Sequence, residues 1–222
     1  MCSNFDPIKI NKSSWVSEHF KCELPQGDWD ANVYSTAPVP FVYLDDGQVK
    51  CELAQFGLVP PWAKDKKRHG RHTYNARTET VHTTHSYASP WRKCKFGLVL
   101  ANKFYEPLYD ASGKNWVPAG IFRSDGGPTA IASIWERFVN QDTGEVTFSF
   151  SMLTVNADEH PLMSRFHKPK DEKRSVVVVE DKDFTQWLNA KHDNAKELLK
   201  LSRDGYLDYS APEIKISQKS LF

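Results

Sequence analysis

The chain has 222 residues, 40% of them hydrophobic and 26% charged, which supports one substantial core and reads as a single domain over 1–222. Its formal net charge of +1 at pH 7 excludes a uniformly basic nucleic-acid binder, so any DNA contact must come from a local patch. Aromatics, at 13%, are numerous enough either to fill a core or to leave rings over for stacking on bases.

The N-terminal segment, MCSNFDPIKINKSS, carries Asp6 and lacks the long apolar run of a signal peptide. Nothing further along is long enough to span a bilayer, so a cytoplasmic, reducing location with free thiols is expected. The cysteines at 2, 22, 51 and 94 have no C-x-x-C spacing, which argues against a zinc ribbon or a thioredoxin-type motif. Ser13 to Phe20 reads as a short helix. VYSTAPVPFVYL and VKCELAQFGLV read as two strands joined at Asp45-Asp46-Gly47. A long loop follows from Pro60 and carries Asn75-Ala76-Arg77. CKFGLVLANKFYEPLYD is a buried strand, with a second strand at 115–122. TAIASIWERFV and EVTFSFSMLTVNA make two more, and VVVVE at 176–180 another. Residues 181–222 read as a C-terminal helix and tail, with Phe184, Trp187, Leu188, Ala195, Leu198 and Leu199 near one face. The class is α+β, a mostly antiparallel and barrel-like sheet flanked by helices.

Four positions carry candidate chemistry. Cys2, once Met1 is removed, would place an α-amine and a thiol on adjacent carbons. An α-amine has a pKa of about 7.7–8.0, so a good share is neutral and nucleophilic at physiological pH. A thiol ionises at about pH 8.5, or lower beside a cation. Such a pair captures an aldehyde as a Schiff base, which the sulfur then closes to a thiazolidine. Asn75 could orient a reacting atom while Arg77 grips a phosphate. Glu106, directly after the apolar strand, is suited to acid–base work if buried. His167 shares its loop with Arg165, Lys168 and Arg174, a cationic setting that would keep the imidazole neutral. Lys64, Lys66, Lys67, Arg68 and Arg71 lie between Trp62 and Tyr74, the mixture of cations and rings that a single-strand groove uses. His69, His72, His82 and His85 form two close pairs without a cysteine or carboxylate pattern, so no metal site is expected.

In order, these pieces resemble the SRAP (SOS response-associated peptidase) family: Cys2 after the initiator Met, Ala37-Pro38-Val39-Pro40, Gly57 to Ala63, Asn75-Ala76-Arg77-Thr78-Glu79-Thr80, Phe104-Tyr105-Glu106, Ile134-Trp135-Glu136, and a late histidine before a strand. The match covers roughly residues 2 to 180. The resemblance implies a barrel-like sheet that binds single-stranded DNA and cross-links abasic sites covalently through Cys2, after self-cleavage of Met1. It implies Cys2 as nucleophile, Asn75 as stabiliser of the linkage, Glu106 as proton shuttle and His167, rather than His160, as acid–base for opening the sugar. Pro40, Trp62, Lys67, Arg68, Arg77 and Arg174 are the expected DNA contacts. No cofactor is implied, and a monomer of bacterial or phage origin is expected. Ser3-Asn4 in place of Gly-Arg, Pro107 in place of Trp, Phe56 in place of Trp and Ser175-Val176 in place of Met-Pro mark a divergent branch.

Two other readings stay open at this point. One is a cysteine peptidase with Cys2, His167 and Asn75 as a triad. The other is a noncovalent single-strand binding module, whose affinity would fall steeply with salt.

Overall fold

The structure, a computed structural model, describes residues 2–214. Strands dominate in chain order: β1 (Asn4–Pro7), β2 (Val33–Tyr34), β3 (Pro38–Asp45), β4 (Gln48–Phe56), β5 (Asn75–Arg77), β6 (Phe96–Tyr109), β7 (Trp116–Arg123), β8 (Thr129–Val139), β9 (Val146–Asn156), β10 (Arg174–Val176), β11 (Val178–Val179) and β12 (Leu207–Ser210). Between and after them come helices α1 (Ser13–Phe20), α2 (Lys66–Gly70), α3 (Ala88–Arg92), α4 (Phe184–Leu188) and α5 (His192–Leu198). The expected α+β class is the one observed. None of the described helices is long and apolar enough to cross a membrane.

Five strands close on themselves in the order β8-β9-β4-β3-β6, with β6 pairing back to β8. The joint between β4 and β9 is parallel, and the other four are antiparallel. Closure removes the exposed edges that would otherwise template aggregation. Side chains alternate across this wall. Phe41, Tyr43, Phe56, Val99, Ile131, Trp135, Phe148 and Phe150 pack together inside the barrel. Val42, Leu98, Leu100, Ala132 and Leu153, one residue out of step, face an outer layer with Val16, Phe20, Phe184 and Trp187 of the helices. Phe41 stacks on Phe150 at 4.8 Å, and the Tyr43 and Trp135 rings lie 5.1 Å apart, so rings fill the interior.

β6 is the longest strand and pairs with four others. β3 and β8 flank it within the barrel, while β1 and β7 take over as it runs out past Ala101. β1 therefore lies against the end of β6 that carries Phe104-Tyr105-Glu106.

Three expectations differ from what is observed. Asn75-Ala76-Arg77 is a strand rather than loop, parallel to β9, with Ala76 fully buried. Three residues are too few for an alternating pattern to declare itself. The apolar run at 176–180 is two strands. Val177 donates to Leu153 of β9 and accepts from Ala132 of β8, so the chain changes partner there. The expected C-terminal helix is two helices, because Lys191 is extended and its N–H is bound by the Asn194 side chain, which starts a new helix. The tail beyond adds β12 to β7, and residues 215–222 of the expected tail lie outside the described residues, as does Met1.

Gly57, in the turn leaving β4, has φ +110, and a Cβ there would run into the Gly70 carbonyl. The turn between β4 and α2 is closed by this contact between two backbones. Gly57→Ala combines a strained φ with a clash against backbone, so a loss of more than about 2 kcal/mol is expected in denaturant titration. Retention of wild-type stability would show that the two backbones can part freely.

Candidate active site

The site begins with strand pairing. Phe5 faces Phe104 and Asp6 faces Lys103 across the β1–β6 ladder. The residues leading into β1 bring the Cys2 thiol to the Tyr105 backbone and the Glu106 carboxylate. Phe5 is fully buried, with its ring edge-on to Phe56 at 5.2 Å, and this anchors the segment. Burial of such a ring stabilises by roughly 2–3 kcal/mol.

Cys2 is itself fully buried within the apolar interior. Its Sγ lies 3.3 Å from the Asn4 carbonyl oxygen. Asn75 Nδ2 donates to the Cys2 carbonyl at 2.7 Å. Asn75 is held in turn by its place opposite Met152 on β9 and by Tyr87, whose hydroxyl donates to the Asn75 carbonyl at 2.9 Å. Among the described residues, nothing hydrogen-bonds to the buried Asn75 Oδ1. Burial pushes the Cys2 thiol far above its ordinary pKa, and the nearby Glu106 charge adds to the push.

Glu106 is 2% exposed, more deeply buried than its position near the end of an apolar strand suggested. His167 Nε2 lies 2.8 Å from Glu106 Oε2. His167 reaches it through an unusual backbone: its φ is +65, a left-handed value uncommon outside glycine. Three bonds hold that conformation. The His167 N–H donates to the Pro107 carbonyl at 2.8 Å, and the Lys173 ammonium donates to the carbonyls of His167 and Lys168 at 3.3 and 2.7 Å. Strained backbone maintained by its surroundings is frequent at functional sites.

The four expected catalytic residues, from four separate segments, are thus brought together. The surroundings of His167 differ from expectation. Its ring meets a carboxylate, because the cations of its loop are engaged elsewhere: Arg165 with Tyr209, Arg174 with Glu79, and Lys173 with backbone. Tyr74 was read only as the edge of a basic run. It lies beside the site, its hydroxyl pKa raised by burial and by its closeness to Cys2 and Glu106. No spacing in the sequence signalled this.

His160 has a different occupation. It is 4% exposed, and its Nδ1 accepts from the Leu162 and Met163 N–H groups at 3.1 Å each. Its Nε2 lies 3.0 Å from the Ser202 carbonyl, which requires the proton on Nε2. This ring fastens two loops.

The expected DNA contacts separate by burial. Trp62 is 48% exposed, with its ring stacked on His85 at 4.4 Å and edge-on to His69 at 5.0 Å. Lys67 and Arg68 project from α2 into solvent. Arg77 is exposed and pairs with Glu172 at 2.9 Å. Two expectations need correction. Pro40 is buried in β3. Arg174 is 3% exposed, and its guanidinium is taken up by Glu79, Glu172 and the Thr154 carbonyl. It ties β9 and β10 to the loop after β5 and offers no free face to a phosphate.

The family model described as SOS response associated peptidase (SRAP) matches residues 1–216. The chain belongs to the SRAP family. It is 27% identical over 227 residues to the abasic site processing protein YoqW of Bacillus subtilis (strain 168), covering 99% of this chain and 92% of YoqW, and the same match is found to YoqW of Bacillus phage SPbeta. It is 25% identical over 169 residues to the abasic site processing protein HMCES of Gallus gallus, covering 67% of this chain and 48% of HMCES. A crystal structure of a Bordetella bronchiseptica protein superposes with a TM-score of 0.84 at 29% identity, covering 96% of this chain and all of the other.

Two sets of substitutions separate site from scaffold. His160→Ala removes three hydrogen bonds from a buried ring and should cost about 2 kcal/mol, a fall in melting temperature of roughly 4–8 °C. His167→Gln, which keeps an N–H donor for the buried Glu106 carboxylate, should melt closer to wild type than His160→Ala does. The reverse order in calorimetry would mean that His167 is the fastener. Separately, bonding to Arg174 holds the Glu79 and Glu172 carboxyls below their usual range. A depressed carboxyl pKa adds stability that is present above about pH 4.5 and is lost as pH falls through the folded values. Arg174→Met should therefore be less stable at pH 7 and decline less steeply between about pH 5 and 3. Parallel wild-type and variant curves would show that the cluster does not govern acid stability.

Proposed function

We propose that this chain captures abasic sites in single-stranded DNA, forming a thiazolidine DNA–protein cross-link through Cys2 once Met1 has been removed. The observation that carries this reading is the convergence of Asn75 and the Glu106–His167 pair on residue 2, although the four lie far apart in sequence. The names of YoqW and HMCES as abasic site processing proteins support the substrate class.

The chemistry proceeds as follows. His167 exchanges protons with the hemiacetal of the abasic deoxyribose and opens it to the aldehyde. The Cys2 amine adds to that carbon, and the carbinolamine loses water to leave a Schiff base. Glu106 donates and recovers the protons of those two steps. The sulfur then bonds to the imine carbon, and the thiol proton ends on the former amine nitrogen. One water is lost overall, and no oxidant or reductant is needed. Asn75 fixes the Cys2 carbonyl, so amine and thiol swing about a held backbone. Burial raises the thiol pKa while Met1 is attached; in the order proposed here the amine adds first and the thiol follows. Glu106 and His167 would serve equally for proton transfer when Met1 is cleaved.

The thiol also weighs between readings. A peptidase that turns over other polypeptides needs a stabilised thiolate, and burial here drives the equilibrium the other way. Capture of an aldehyde needs only that the thiol be at hand when the imine forms.

Intact mass after mixing with single-stranded DNA containing one abasic site tests the reading. The expected product is the chain without Met1 plus the oligonucleotide less one water. Cys2→Ala should give no adduct, and Glu106→Gln should form it about a hundredfold or more slowly. A protein with a free Cys2 that yields only dissociable complexes would refute covalent capture, and Cys2→Ala binding as tightly as wild type would favour a noncovalent module.

A further inference from the structure

In a thiazolidine the former aldehyde carbon is bonded to both the nitrogen and the sulfur of one cysteine. Groups around the Cys2 thiol are therefore groups around the carbon at which capture would occur. When the amine adds to that carbon, negative charge develops on its oxygen. Such charge is best met by a hydrogen-bond donor already in place. The Asn4 carbonyl, 3.3 Å from Sγ, only accepts. The Tyr105 backbone hydrogen-bonds the sulfur itself. Asn75 Nδ2 is engaged by the Cys2 carbonyl, and His167 Nε2 lies against Glu106.

The Tyr74 hydroxyl is differently placed. Tyr74 precedes Asn75, and its carbonyl accepts from the Met152 N–H at 3.0 Å, which fixes the backbone there. Its ring is half-buried, packs against the apolar interior that contains Cys2, and meets Phe56 edge-on at 5.7 Å. Phe56 in turn meets Phe5 edge-on at 5.2 Å, so Tyr74 and the segment bearing Cys2 rest on one ring. Burial raises the hydroxyl pKa, and Cys2 and Glu106 are close enough to raise it further. A phenol in this position keeps its proton at physiological pH. A cation there would pair with Glu106, whereas a neutral O–H can donate and leave that carboxylate to His167.

We infer that Tyr74 is a further catalytic residue, its hydroxyl donating a hydrogen bond to the aldehyde oxygen as the Cys2 amine adds. The inference rests on the capture reading above and deepens it. As the nitrogen bonds to the carbon, the carbonyl π pair moves onto oxygen, and Tyr74 holds that oxygen without giving up its own proton. The proton that completes the carbinolamine hydroxyl comes from the ammonium nitrogen by way of Glu106. Loss of water then leaves the Schiff base, and Tyr74 returns to its starting state.

The test compares wild type, Tyr74→Phe and Tyr74→Leu, each with Met1 loss confirmed by intact mass and with melting temperatures confirming that they fold. Two substrates are used, a single strand with one abasic site and a simple aldehyde, propanal. Cyanoborohydride trapping reports the Schiff base, and intact mass reports the closed ring. Tyr74→Phe should melt close to wild type and form the Schiff base about a hundredfold more slowly at saturating DNA, with the half-saturating DNA concentration unchanged. The slowing should be of the same order with propanal, and Tyr74→Leu should be no faster than Tyr74→Phe. The inference is overturned if Tyr74→Phe forms the Schiff base at the wild-type rate, even where Tyr74→Leu is slow, since the ring would then be only a wall. It is also overturned if Tyr74→Phe changes the half-saturating concentration alone. If wild type captures propanal and not the abasic strand, the DNA reading fails, and the propanal rates decide the role of Tyr74. If wild type captures neither, both readings fall.

Discussion

The pairing of β1 with the outer half of β6 is the constraint on which the site depends. Residue 2 has no element of its own to hold it, and its position follows from Phe5 facing Phe104 and from the fully buried Phe5 ring behind them. Strand side chains alternate with period two, so a slip of one residue would turn Phe5 outward and move every neighbour with it. The register shifts between Asp6 and Pro7, and the pairing resumes at Pro7 opposite Ala101 and in the Ile8 N–H bond to the Leu100 carbonyl, so β1 is fixed on both sides of the irregularity. The barrel thus contributes its rigidity to a short segment that could not order itself.

That rigidity has an energetic consequence. Burying a thiol beside a carboxylate favours its neutral form, and Glu106 and His167 lie 2.8 Å apart in the same low-dielectric corner. Such a corner disfavours free thiolate chemistry, including unspecific oxidation or alkylation of Cys2. It favours reactions in which protons move over short distances between fixed groups. The strained backbone of His167, strapped by Pro107 and Lys173, keeps the ring on Glu106 rather than among the cations of its own loop.

Much of the barrel was legible because its strands are long and strongly apolar. The segments that became β3, β4, β6, β8 and β9 are the ones that close it, and the turn at Asp45-Asp46-Gly47 announced the β3–β4 hairpin. Short elements were not legible. β5 has three residues, Val177 changes partners in mid-run, and the break at Lys191 depends on one side-chain bond from Asn194. The catalytic candidates were legible as chemistry in sequence order, whereas their environments were not. Arg174 and Arg77 look alike in the sequence, yet one is locked inside the wall and the other reaches solvent. Tyr74 gained its significance only when β5 was set near the Cys2 and Glu106 segments.

The near-neutral charge takes on a definite meaning in this fold. Several of its cations are already satisfied: Lys66 by Glu145, Arg77 by Glu172, and Arg123 by Asp125 and Asp181. A phosphate approaching Arg77 must compete with a carboxylate, so the electrostatic gain is the difference between two partners rather than a new bond. The exposed Lys67 and Arg68 of α2 carry no ion pair among the described residues and are the cations of that region open to a phosphate. Rings and a covalent bond do not carry the penalty of displacing a carboxylate. Trp62 beside α2 is half exposed and leaves a ring face open, and in the capture proposed above Cys2, beside Asn75 and Glu106, would form the bond. Under the capture proposed above, weak electrostatic holding would let the protein leave intact strands readily, and the covalent bond would keep it where an aldehyde is present.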